Sequence, residues 1–157
     1  MLKTSRQRVL PRTNWKQIVN KPNPGDVSFF IDHDKRILYV ERRDNLNKES
    51  IYAEWHAMQQ LEGFDPGYET IVDYSLVPRV DLNVSDLMQI NRDIPVFDSR
   101  TGNVAIVTGL TYGRYLLARF FCTAANLTHE RKHQVFQTKA EAEAWIISLN
   151  ESEDTPL

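Results

Sequence analysis

The sequence predicts an α/β fold: a mostly parallel sheet with an antiparallel edge hairpin and covering helices. Two observations carry this expectation. Strand-like and helix-like runs follow one another in the order ββαβαβαβα, and such alternation closes into a parallel sheet through right-handed crossovers. The two strands in direct succession stand first, joined by a turn too short for a crossover, so they pair antiparallel at one edge.

Each element has its own signal. "DVSFFID" and "RILYVERR" are β-rich runs on either side of "HDK", whose Asp, His and Lys suit a hairpin turn. In "NKESIYAEWHAMQQLEGF", Ile51, Trp55, Met58 and Leu61 recur at helical spacing and Gly63 ends the run. This stripe reads as core. "YETIVDY" is a short buried strand, "SDLMQINRDI" a helix and "NVAIVTG" another strand. "YGRYLLARFFCTAANL" is a helix expected to turn Leu116, Leu117, Phe120, Phe121 and Ala124 inward. "KHQVFQT" closes the sheet, and "KAEAEAWIISLN" is a helix with Thr138 as N-cap and Ala142, Trp145, Ile146 and Leu149 on one face.

The 157 residues, 41% hydrophobic and 25% charged, have the size and composition of one soluble globular domain. Three segments are expected: a basic arm over 1–26, the α/β domain over 27–149 and an acidic tail over 150–157. Lys3, Arg6, Arg8, Arg12, Lys16 and Lys21 fall in the first 25 residues with no acid among them. The remaining chain therefore holds 13 bases against 21 acids, a balance of −8 beneath a net charge of −2. An acidic body predicts no nucleic-acid binding by the domain, while the arm could make weak peripheral contact with an anionic membrane. Its prolines, Pro11, Pro22 and Pro24, leave room only for a brief amphipathic turn around Trp15, Ile18 and Val19. Cys122 is the single cysteine, so no intramolecular disulfide forms, and its apolar setting "RFFCTAA" predicts a buried, unreactive thiol. No apolar run approaches the roughly 18 residues of a membrane span, and no secretory signal opens the chain. A cytoplasmic location is expected.

The element order, the strand "IVDYSLV" with Asp73 and the closing "HQVFQTKAEAEAWI" resemble the SpoIIAA-like branch of the STAS superfamily, named for an anti-sigma-factor antagonist. The resemblance covers roughly Val27 to Leu149. It implies a STAS-like regulatory or binding module that takes a protein partner or a small anionic or apolar ligand. A lipid or hydrophobic-ligand carrier, and an enzyme using the crevice at the sheet end, are the alternatives. In the phosphorylated antagonists an Asp, two hydroxyl residues and a Gly form the switch. Along this chain the motif falls on Asp81, Leu82, Asn83 and Val84. Leu82 cannot accept phosphate, so no phosphorylation is expected there. Ser85, a shifted candidate, precedes an apolar helical run and reads as a helix cap.

No nucleotide-binding glycine motif, P-loop or nucleophile elbow occurs, and the carboxylates are scattered, so no catalytic residue and no cofactor are predicted. "HERKH", His129 to His133, matches the zinc-peptidase pattern, which needs both imidazoles on one continuous helix. Here His133 opens a strand, where residues four apart stand roughly 13 Å from each other. No metal site is expected; His33 and His56 read as turn and helix-surface residues. In open α/β sheets ligands collect where strands end and helices begin. Two such ends are legible: Tyr74 and Ser75 after "IVD", and Thr108, Thr111, Tyr112 and Arg114 in "VTGLTYGR", with Gly109 and Gly113 letting the backbone approach. Free N–H groups and a guanidinium there would favour an anionic group. The plainer reading makes Thr111 a cap, Arg114 solvated and Tyr112 packed.

Overall fold

The computed structural model describes residues 24–97 and 100–153. The arm before Pro24, with its Trp15, Ile18 and Val19, lies outside the described residues. In chain order the elements are β1 (Val27–Asp32), β2 (Ile37–Arg42), β3 (Leu46–Asn47), α1 (Lys48–Gln59), β4 (Glu69–Asp73), β5 (Val80–Asp81), α2 (Val84–Phe97), β6 (Val104–Val107), α3 (Tyr112–Thr128), β7 (His133–Phe136) and α4 (Lys139–Glu153). Five strands form one sheet in the order β1-β2-β4-β6-β7, antiparallel between β1 and β2 and parallel elsewhere. β3 and β5 form a separate two-residue parallel pair that periodicity had no length to reveal.

Alternation along the strands divides the core between the two faces of the sheet. Phe29 and Ile31 of β1, Leu38 and Val40 of β2, Val72 of β4 and Ile106 of β6 share one cluster with α1, α2 and α3 residues. Ile37, Tyr39, Ile71, Ala105 and Val107 meet α4 through Ala142 and Ile146 on the other face. Three helices thus cover one side and a single helix the other.

The caps show why the helices start where they do. Asn47 accepts the Ser50 N–H at 2.8 Å, and the Ser50 hydroxyl oxygen accepts the Asn47 N–H at 2.9 Å, a reciprocal capping box at α1. The same device opens α2: Asn83 accepts from the Asp86 N–H at 2.8 Å while the Asp86 carboxylate accepts from the Asn83 N–H at 3.1 Å. The cap is therefore Asn83, not Ser85, which is exposed two residues into the first turn. α4 starts as expected, with Thr138 accepting the Glu141 N–H at 3.3 Å, and runs to Glu153, past the expected tail boundary at 150.

Two further expectations need correction. α1 ends at Gln59, with Leu61 buried beyond the helix and Gly63 turning the chain at a φ of 78°. On α3 the inward face is Phe121, Cys122 and Ala125, whereas Leu116 and Phe120 face outward at 45% and 41% exposure. Every residue in that helix's long apolar run fits one face or the other, so periodicity alone does not fix its rotation about its own axis.

Asn83→Ala is expected to cost about 1 kcal/mol by loss of the cap, and Ser85→Ala to stay within about 0.5 kcal/mol. Urea unfolding of both variants checks this; equal losses would restore Ser85 as the cap.

Candidate functional site

Even-numbered positions of β4 and β6 point to the three-helix side, and there the helices leave a cavity. Its floor is Thr70, Val72 and Tyr74 of the β4 segment and Val104, Ile106 and Thr108 of the β6 segment, joined by His133 at the start of β7. Ile51 and Trp55 of α1, Leu87 and Ile90 of α2, and Leu117, Ala118 and Phe121 of α3 roof it, the last three at helical spacing. The short β3–β5 corner supplies Leu46, Val80 and Leu82. The void measures about 80 Å³, several times the roughly 10–15 Å³ that one water needs. Its walls are overwhelmingly apolar.

Burial is graded along this cavity. Val80, Leu82, Arg114, Leu117 and Ala118 are half-buried at the end where the parallel strands finish. Thr70, Val104, Arg100, Arg131 and His133 are buried at the end where the strands begin. The half-buried lining residues thus gather where the strands finish.

The end where the strands begin carries two guanidinium groups. Arg100 and Arg131 are each 8% exposed; Arg100 donates to the Thr70 hydroxyl at 3.3 Å and sits over the Phe64 ring at 5.8 Å. Arg131 donates to the Arg100 carbonyl at 3.4 Å. His133 is 3% exposed, edge-on to Phe121 at 6.1 Å. Burial, then Arg131, His129 and Arg100 beside it, lower its pKa to about 3, so it is neutral at physiological pH. Among the described residues lining the cavity there is no carboxylate.

Beside the cavity, between the sheet and α1, lies a buried polar network. The Arg42 guanidinium donates to Glu54 at 2.9 Å and to the carbonyls of Pro24 and Ser50 at 2.6 and 3.3 Å, and it also pairs with Asp44. Tyr74 donates to the second Glu54 oxygen at 2.7 Å. Burial raises the pKa of Glu54, opposed by Arg42 and by the Tyr74 hydroxyl. For Arg42, burial acts downward, but Glu54, Tyr74 and Asp44 together more than offset it. Tyr74, desolvated and beside Glu54, holds its proton firmly.

The residues singled out in the sequence separate into two groups. Tyr74, Thr108 and Arg114 line the cavity; Ser75, Thr111 and Tyr112 are exposed outside it. Arg114 is not simply solvated, for it donates to the Pro78 carbonyl at 2.9 Å. Thr111 occupies the N-cap position of α3 without a side-chain cap bond, and Tyr112, 70% exposed, does not pack. Gly109 does allow a close approach: its φ is 73°, and a Cβ there would stand 3.3 Å from that of Ser75. Gly113 faces open space.

The two histidines of "HERKH" are closer than strand spacing implies. His129 caps the end of α3 and the chain folds back at once, so its ring lies 5.6 Å from that of His133, centroid to centroid. No group of three or more His, Cys, Asp or Glu suited to a metal occurs among the described residues. Cys122 is buried, and its thiol is pushed up to about 12 by desolvation. The pair Arg100 and Arg131, the Glu54 contact to Tyr74 and the place of His133 in the cavity wall were missed in the sequence. Signals for two of the missed positions existed: Glu54 shares helical spacing with Ile51 and Met58, and His133 shares the inward register of Val135.

No protein-family model matches the chain, and no curated protein matches it in sequence. Among solved structures it is similar to an uncharacterized protein with a SpoIIAA-like fold from Shewanella loihica, at 15% identity and a TM-score of 0.48, over 82% of this chain and 99% of that one.

Because His133 is neutral when folded but protonates near 6.5 when exposed, the unfolded chain binds the extra proton. Its contribution to stability is complete above about pH 6.5 and is lost as pH falls toward about 3. His133→Leu is expected to shrink the stability difference between neutral and mildly acidic pH, read by urea unfolding at each; an unchanged difference would show that His133 titrates normally.

Proposed function

We propose that this protein is a non-catalytic binding module that holds a small apolar molecule in the cavity between the sheet and helices α1, α2 and α3. The carrying observation is the cavity itself, walled by aliphatic and aromatic side chains, with its half-buried lining residues gathered where the strands end, the setting in which small-molecule sites occur. The thiol nearby keeps its proton and is buried, which favours binding over chemistry. No helix among the described residues is long and apolar enough to cross a membrane; a cytoplasmic location remains part of this proposal.

A second reading has its own observation. Tyr112, Leu116, Phe120 and Leu127 form an exposed stripe along α3, with Val84 and Met88 exposed on α2, and a contiguous apolar surface suits a protein partner. Leu116→Glu with Phe120→Glu would abolish such docking and leave the cavity untouched.

The cavity reading is tested with octanol as a neutral apolar probe. Methyl resonances of Ile106 and Leu117 are expected to shift on titration, and Ala118→Trp, which places a ring in the void, to abolish the shifts while the chain stays folded. Unmoved cavity methyls in the unmodified protein would overturn the reading.

A further inference from the structure

We propose that the end of the molecule where the parallel strands finish docks on an anionic phospholipid bilayer, through the side chains of Leu76, Val84, Leu110 and Tyr112 and the basic segment 1–23 joined to the same end. Docking of this kind needs no ligand in the cavity.

Four large apolar side chains are exposed at that end, and they come from four places in the chain. Leu76 follows β4, Leu110 follows β6, Tyr112 is the first residue of α3 and Val84 the first of α2. The fold draws them together. A Cβ on Gly109 would stand 3.3 Å from that of Ser75, so the loops carrying Leu110 and Leu76 touch. Arg114 donates to the Pro78 carbonyl at 2.9 Å, tying the start of α3 to the chain just past Leu76. That chain runs through β5, paired with β3, directly into α2. Large apolar side chains gathered on one exposed surface mark a protein or a membrane contact.

Charge selects between the two. The Pro24 carbonyl accepts from the Arg42 guanidinium at 2.6 Å, and Arg42 is the last residue of β2, which runs parallel to β4. The segment 1–23 therefore joins the body at the end that carries the apolar tips. It brings Lys3, Arg6, Arg8, Arg12, Lys16 and Lys21 and no acid. The carboxylates nearest the tips in sequence are already engaged: Asp73 accepts the Ser75 N–H at 2.9 Å, Asp81 pairs with Arg79 at 2.8 Å, and Asp86 accepts the Asn83 N–H at 3.1 Å. Acids elsewhere on the body are screened beyond about 8–10 Å at physiological salt.

A bilayer fits this combination. Apolar side chains enter its interfacial zone, a tyrosine ring rests at headgroup level, and neighbouring bases are drawn to anionic headgroups. One weak signal gives only marginal attachment, whereas an apolar anchor and a polybasic segment together hold. A protein partner would have to match the relief of four separate tips, and a fluid lipid surface needs no such match.

Cosedimentation of the full chain with vesicles tests this, using pure phosphatidylcholine and an equal mixture of phosphatidylcholine and phosphatidylserine. Binding to the mixed vesicles is expected to be at least about tenfold tighter and to weaken as salt rises. Leu76→Ser combined with Leu110→Ser is expected to weaken it at least about tenfold. Leu127→Ser is the control, for Leu127 is 83% exposed and Leu110 82%, but Leu127 lies at the opposite end of α3; its binding is expected to be unchanged. All three residues are on the surface, so both variants are expected to keep the fold, which circular dichroism checks. Equal binding to both vesicle types, or an equal loss in Leu127→Ser, would overturn the proposal. So would an absence of vesicle binding, and if sedimentation velocity then showed a dimer that Leu76→Ser with Leu110→Ser dissociates, the surface would belong to a second copy of the chain.

Discussion

A buried guanidinium holds this fold together. Arg42 ends β2, is fully buried, and is surrounded by acceptors from four places: the carbonyl of Pro24 before β1, the carboxylate of Asp44, and the Ser50 carbonyl and Glu54 carboxylate of α1. Removing such a charge from water costs several kcal/mol, a cost met only when its donors are matched by well-placed acceptors. The hairpin, the loop after it and the first helix must therefore adopt one mutual arrangement. Glu54 extends the constraint to the centre of the sheet, because its second oxygen receives the Tyr74 hydroxyl just past β4.

That arrangement places one wall of the cavity. Tyr74 stands in the floor and Trp55, one residue beyond Glu54, in the roof. α1 is tied onward to α2 by Tyr52 donating to Asp93 at 2.6 Å, and α2 to α3 by Asn91 donating to the Phe121 carbonyl at 3.4 Å. Polar bonds thus run along the outside of a space whose interior is apolar, and they fix the helices without filling the gap beneath them. Arg100 and Arg131 belong to loops before β6 and β7, so the cavity's two ends are set by different parts of the chain.

Much of the fold was legible because it follows from periodicity. All seven long-recognised runs after the hairpin became elements, since strands alternate at two and helices recur near 3.6 wherever one face is buried. The rotation of α3 was not legible, because Leu116, Leu117, Phe120 and Phe121 offer two apolar faces and only tertiary packing selects one. Asn83 and Ser85 are both good capping residues, and the choice fell to Asn83 through Asp86, three residues on. The site was half legible. Tyr74, Thr108 and Arg114 are found by the rule that strand ends carry ligands, but Arg100 and Arg131 sit in short polar loops that look solvated. Their burial comes from β4, β6 and β7 being brought side by side, a long-range pairing with no local trace.

The central claim, that Arg42 and Glu54 act as one mutually compensating unit, is tested most directly by a double-mutant cycle of unfolding free energies for Arg42→Met, Glu54→Leu and the pair together. Each single change is predicted to cost about 3–5 kcal/mol, because it strands the opposite charge in the core. The double change is predicted to cost far less than their sum, since both charges leave together. Additive losses in the double variant would contradict the account.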